Sequence, residues 1–126
     1  MKFSTFGILL GFVCGLVLIV APPAFANKAS VAIQAPENAS KGSEITVRVT
    51  VTHNGNSARH YVERVTIWVN KRELSRWEYT SSNLPEGVPF TREVKYKIEE
   101  NTEIEAEASC NVHGGKGPAT FKITIK

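Results

Sequence analysis

Residues 44–52 read Glu-Ile-Thr-Val-Arg-Val-Thr-Val-Thr, with Ile45, Val47, Val49 and Val51 at alternate positions between Thr46, Arg48, Thr50 and Thr52. A helix would scatter those four apolar side chains around its circumference, whereas a strand lines them up on one face. The period of two therefore commits this segment to a half-buried β-strand. The same period governs Ile104, Ala106, Ala108, Cys110 and Val112 against Glu103, Glu105, Glu107, Ser109 and Asn111. It returns in Phe121, Ile123 and Ile125 against Thr120, Lys122 and Thr124, and in Val94, Tyr96 and Ile98 against Glu93, Lys95 and Lys97.

Less regular apolar runs occupy residues 30–34, 61–69 and 74–79, and clusters of turn-forming residues at 36–42, 54–57, 70–72, 81–89, 99–102 and 114–118 separate the runs. No amphipathic helix of useful length is present. About seven short strands in about 100 residues predict an all-β chain, a single antiparallel β-sandwich of the immunoglobulin type, without the Cys…Trp…Cys pattern of antibody domains.

The front of the chain follows different rules. After Met1-Lys2 no charged residue occurs before Lys28, and residues 6–20 form an unbroken run of apolar residues and glycines. Pro22-Pro23 and Ala24-Phe25-Ala26 follow, so residues 1–26 read as a cleaved signal peptide and residues 27–126 as one domain of the exported, periplasmic-type protein. An uncleaved membrane anchor is the rival reading of the same run.

Lys and Arg number 15 against 12 Asp and Glu, and without Lys2 the net charge is +2. That balance, with no basic stripe interleaved with aromatics, excludes nucleic acid as a partner and suits a small anionic substrate weakly. Cys14 leaves with the signal peptide, so Cys110 is the one thiol of the mature domain. An odd cysteine in an exported protein has three explanations: pairing between chains in a homo-oligomer, a reactive thiol, or a metal bond.

The histidines bear on that choice. There are three, His53, His60 and His113. His53 continues the parity of Ile45 to Val51, so it extends the buried face of its strand to the end. Cys110 likewise shares the inward parity of Ile104 to Ala108. Only residues 54–59 separate His53 from His60, and both ends of such a hairpin loop lie at one pole of a sandwich. His113 follows Cys110 by three residues in a glycine-rich turn. If the two strand ends meet, three imidazoles and a thiolate converge, and no histidine is left over elsewhere. Such donors suit iron, copper, zinc, nickel or cobalt and not calcium or magnesium. Gly114, Gly115 and Gly117 would let the backbone close around the centre and donate N–H groups to the sulfur.

The segment His-Tyr-Val-Glu-Arg-Val-Thr-Ile-Trp-Val-Asn at 60–70, with His53 before it and Ser-Cys-Asn-Val-His-Gly-Gly at 109–115 after it, resembles the superoxide reductase family of desulfoferrodoxin and neelaredoxin iron proteins. The resemblance covers about the last 80 residues. It implies an immunoglobulin-like sandwich and a mononuclear iron centre, with His53, His60 and His113 in the equatorial plane and Cys110 as the axial, catalytic thiolate. The position opposite Cys110 would take superoxide, which accepts an electron from iron and two protons from solvent and leaves as hydrogen peroxide; an electron donor, not identified by the sequence, restores the iron. The family carries one more histidine in an N-terminal Glu-Lys-His-Val-Pro-like loop, and no histidine occurs here between Asn27 and Thr52, so the implied site has three histidines and one cysteine. Lys116 and Lys41 are the candidates to replace that loop's anion-attracting lysine.

Two other readings fit parts of the pattern. A cupredoxin-like copper electron-transfer protein also has an early histidine and a late Cys/His pair, but it carries an axial methionine, and the one methionine here is Met1. A non-catalytic immunoglobulin-like binding module with a degenerate metal site would keep Cys110 as an ordinary buried thiol. No Ser/His/Asp arrangement supports a hydrolase.

Overall fold

The computed structural model describes residues 28–126, and the apolar run with its cleavage pattern lies outside the described residues. Eight strands form there: β1 (Ser30–Gln34), β2 (Asn38–Ala39), β3 (Glu44–Thr52), β4 (Val62–Val69), β5 (Arg72–Glu78), β6 (Phe90–Lys97), β7 (Thr102–Cys110) and β8 (Ala119–Ile125). No helix occurs among the described residues. One sheet has the order β1-β3-β6 and the other β2-β8-β7-β4-β5. Every pairing is antiparallel except the two-residue β2 against β8, which is parallel and lies in a segment the sequence marked as a turn.

The alternating strands place their apolar parity inward. Ile45, Val47, Val49 and Val51 of β3 face Ile104, Ala106, Ala108 and Cys110 of β7, with Val62, Val65, Ile67 and Val69 of β4, in one buried cluster. The run at 61–69 looked irregular for a structural reason. Val62 pairs with Cys110 and Arg64 with Ser109, so a bulge at Glu63 lets both Val62 and Val65 point inward. The β4–β5 hairpin turns through Asn70 and Lys71, at φ of 46° and 70°, the two positive values that a tight two-residue hairpin requires.

Two expectations change. His53 and His60 do not bracket a hairpin loop: β3 belongs to the three-stranded sheet and β4 to the five-stranded one, so residues 53–61 cross between sheets. Val112 does not continue the buried face of β7, which ends at Cys110; Val112 sits in the turn beyond it, 58% exposed.

Register decides which segments share a pole. Ser30 pairs with Thr52, Val51 with Phe90, Val62 with Cys110 and Arg64 with Glu78. The end of β3, the starts of β1, β4 and β6, and the ends of β5 and β7 therefore meet at one end of the sandwich. Residues 28–29, 53–61, 79–89 and 110–118 cap that end.

Candidate metal centre

The buried parity of β3 carries its last inward side chain, His53, into this pole at 7% exposure. Its Nδ1 lies 2.7 Å from the carbonyl oxygen of Gly55. A carbonyl only accepts, so Nδ1 carries the proton and the lone pair of the neutral ring sits on Nε2. This is the arrangement by which a backbone carbonyl orients a metal-ligating imidazole.

His60 is half-buried at the other end of the same crossing. Its backbone is closed onto Ser57, with Ser57 N–H to the His60 carbonyl at 2.9 Å and His60 N–H to the Ser57 carbonyl at 3.1 Å. Its ring packs edge-on against His53 at 4.6 Å between centroids and against His113 at 5.0 Å. Gly55 has φ of 145°, and a Cβ there would stand 2.9 Å from His60 Nδ1, so the absence of a side chain at Gly55 is what seats the ring. Gly55 therefore touches both histidines, orienting one and leaving room for the other. The Asn54-Gly55 pair signalled a turn in the sequence, without these roles.

Cys110 is a free cysteine and 2% exposed, so its sulfur faces the interior of this pole. The strand stops there because Cys110 and Gly114 close a tight turn, Cys110 N–H to the Gly114 carbonyl at 2.9 Å and Gly114 N–H to the Cys110 carbonyl at 3.0 Å. That turn aims the Val112 and His113 amides at Sγ, at 3.4 and 3.5 Å. The glycines at 114, 115 and 117 were expected to supply such N–H groups; the residues ahead of them do so instead. What Gly115 provides is room, since a Cβ there would collide with the Ala108 carbonyl oxygen.

The ligand atoms of His53, His60 and Cys110 all lie within 4.8 Å of one another. Donors sharing one ion through bonds of about 2.0–2.3 Å are separated by about 3–4.4 Å. Side-chain adjustments of a few tenths of an ångström close that difference. His113 stands at the exposed rim, with Nδ1 3.9 Å from Cys110 Sγ and 3.2 Å from His60 Nε2. Three of the four expected residues, His53, His60 and Cys110, thus converge within 4.8 Å, while His113 stands beside Cys110 and His60 outside that group, and the nitrogen and sulfur donors fit a borderline transition metal.

The surroundings separate the two candidate lysines. Lys41 precedes β3 in a turn tied to the opposite pole, where Gly42 N–H reaches the Ile98 carbonyl at 2.6 Å. Lys116 is exposed at the metal pole, its amide donating to the Ala29 carbonyl at 3.0 Å. Ala29, 1% exposed, also donates to the Gly114 carbonyl at 3.2 Å, which places Lys28 at the same pole. Neither Lys28 nor the side chain of Asn111 was given a part by sequence reasoning. The signal for Asn111 was its position inside the Cys-x-x-His pair, but not what it reaches.

The profile of the desulfoferrodoxin family matches residues 24–115, a span that contains His53, His60, Cys110 and His113. Among solved structures, superoxide reductase (neelaredoxin) from Ignicoccus hospitalis superposes with a TM-score of 0.65 at 21% identity, over 77% of this chain and 80% of that one. A protein from Thermotoga maritima proposed to be a superoxide reductase gives 0.65 at 22% identity, over 76% and 85%. The sulfur carrier protein SoxY from Chlorobium limicola f. thiosulfatophilum gives 0.57 at 14% identity, over 76% and 78%. At these identities the superpositions establish a shared fold. No curated protein matches the chain by sequence.

Proposed function

The chain belongs to the desulfoferrodoxin family, and from that premise we propose that His53, His60, Cys110 and His113 hold a mononuclear iron ion at which superoxide is reduced to hydrogen peroxide. The observation that carries this reading is the convergence of the two early histidines with the buried Cys110 thiol, ligand atoms within 4.8 Å, at one end of the sandwich. Ferrous iron bound there would supply the single electron that superoxide takes up.

The chain's own groups divide the remaining work. The Gly55 carbonyl keeps the proton of His53 on Nδ1 and so turns a lone pair toward the centre. The Val112 and His113 amides point at Cys110 Sγ, where their hydrogen bonds would temper the electron donation of a metal-bound sulfur. Lys28 and Lys116 bias the pole toward an anion. His113, exposed at the rim, leaves the centre within reach of solvent protons.

The test is to load the metal-free protein anaerobically with ferrous iron, measure stoichiometry, oxidise, and record the sulfur-to-iron charge-transfer band. One iron per chain and a band lost in Cys110→Ser support the reading, and persistence of the band in that variant refutes the thiolate ligand. Stopped-flow mixing with superoxide then measures turnover. A blue colour with one copper per chain, and no iron retained, would favour the copper electron-transfer reading instead.

The same proposal places the protein outside the cytoplasm, on the strength of the apolar run at 6–20 and the Ala24-Phe25-Ala26 pattern. Mass spectrometry of the exported protein would then find Asn27 as its first residue. A mature chain retaining residues 1–26 would overturn cleavage and favour the anchor.

A further inference from the structure

In the segment Cys110-Asn111-Val112-His113 the two ends are accounted for as ligands, and the Val112 amide as a donor to sulfur. The side chain of Asn111 reaches the backbone on both sides of His60. Its Oδ1 accepts the Tyr61 N–H at 2.9 Å, and its Nδ2 donates to the Arg59 carbonyl at 3.2 Å. Its own backbone N–H donates to the Tyr61 carbonyl at 3.0 Å. The peptide groups on both sides of His60 are therefore held by one side chain, and that side chain belongs to the residue next to the thiol.

A primary amide is suited to this. The Tyr61 amide needs an acceptor and the Arg59 carbonyl needs a donor, and Asn offers both on adjacent atoms of one planar group. The remaining backbone bonds of His60 are local, closing the crossing onto Ser57 without fixing it to β7. Strand pairing does not supply the link either, because the β4–β7 ladder ends at the Val62–Cys110 pair, two residues short of His60. Asn111 is thus a bridge that carries the position of Cys110 past the end of the ladder to His60.

We propose that Asn111 is a positioning residue that sets the distance and orientation of the His60 imidazole relative to Cys110 and His113. The proposal rests on the reading of these residues as a metal centre. It predicts that Asn111 acts on the metal through His60 and not through stability of the fold in general. The Oδ1 atom also lies 3.9 Å from Sγ, so a carboxylate at this position would put a negative charge beside the thiolate.

The experiment is a double-mutant cycle read by cobalt(II) titration of the metal-free protein, following the sulfur-to-cobalt charge-transfer and d–d bands. Asn111→Ala is expected to weaken cobalt binding by about 10–100-fold, the range typical of lost outer-shell support, and to alter the d–d band that reports coordination geometry. In a His60→Ala background the same substitution is expected to have an effect of no more than about twofold, since coupled sites do not add. Asn111→Asp retains the Tyr61 contact and loses the Arg59 one, so it gives intermediate affinity with a shifted charge-transfer energy, and it serves as the variant if the alanine form does not fold. Wild-type affinity in Asn111→Ala, or an undiminished loss in the His60→Ala background, overturns the proposal. A wild-type protein that binds no cobalt refutes the metal centre and this role with it. Binding of cobalt with no turnover of superoxide refutes the proposed activity alone and leaves the positioning role standing.

Discussion

Gly55→Ala tests the centre from its backbone side. The residue has φ of 145°, a conformation that L side chains rarely adopt, and its added Cβ would stand 2.9 Å from His60 Nδ1 and 3.5 Å from Cγ and Cε1. Holding alanine in such a region costs about 1–3 kcal/mol. The chain can relieve that strain only by moving the 54–60 crossing, which displaces the carbonyl that orients His53 and the ring of His60 together. Metal-free stability should fall by about 1–3 kcal/mol, at about 4–8 °C in Tm per kcal/mol for a domain of this size. If a comparable energy is spent distorting the ligands, cobalt(II) binding weakens by about 10–100-fold, at 1.4 kcal/mol per decade. Gly87→Ala is the control: nothing lies within 4 Å of a Cβ there and its φ is ordinary, so it should be neutral or slightly stabilising. Thermal unfolding and metal titration of the two variants measure both effects. A Gly55→Ala protein with Tm within about 1 °C of wild type and cobalt affinity within about twofold would refute the reasoning, because the strain and the displaced ring would then have no consequence.

Other perturbations probe separate parts of the molecule. Glu86 is held by both Nη atoms of Arg92 at 2.6 and 2.8 Å, which lowers its carboxyl to about 2 from a usual 4.5. A depressed carboxylate stabilises fully above the unfolded value, so the cost of Glu86→Gln in urea melts should be complete at pH 7 and shrink as pH falls from about 4.5 toward 2. With the Glu86 side chain 61% exposed, solvent screening limits that cost to about 0.5–1 kcal/mol, and a penalty unchanged at low pH would show that the ion pair is not its source. Lys116→Glu should slow superoxide consumption several-fold at low salt and reverse its ionic-strength dependence in stopped-flow measurements; an unchanged salt slope would remove Lys116 from anion attraction. Ile67→Ala removes a fully buried side chain from the centre of β4 and should cost about 2–5 kcal/mol in chemical denaturation, while a loss below about 1 kcal/mol would contradict the packing described.

The four ligand candidates were legible because each sits where a local rule could see it. His53 and Cys110 are the last inward positions of alternating strands, and β-strand parity is fixed by the backbone regardless of what the strand pairs with. His60 and His113 were legible by closeness along the chain, since a six-residue crossing and a three-residue turn cannot carry them far. The residues that hold the ligands in place were not. Gly55 acts through a carbonyl and an empty Cβ position, and Asn111 through contacts to residues fifty positions away. Neither role leaves a mark in composition or period. Val112 shows the converse failure, its parity extending one step past the point where the Cys110–Gly114 turn ends the strand.

The sequence by itself determined that the chain is all β, which side chains of β3, β7 and β8 face the core, and that its nitrogen and sulfur donors gather near strand ends. Those are consequences of a two-residue period and of short connections, both local. Tertiary structure alone decided that the 53–61 crossing joins two sheets, that a bulge at Glu63 turns both Val62 and Val65 inward, and that Lys116 shares the metal pole while Lys41 does not. It also decided which amides meet the sulfur. These outcomes depend on pairing between segments far apart in the chain, and the parity of one strand carries no information about its partner or its register.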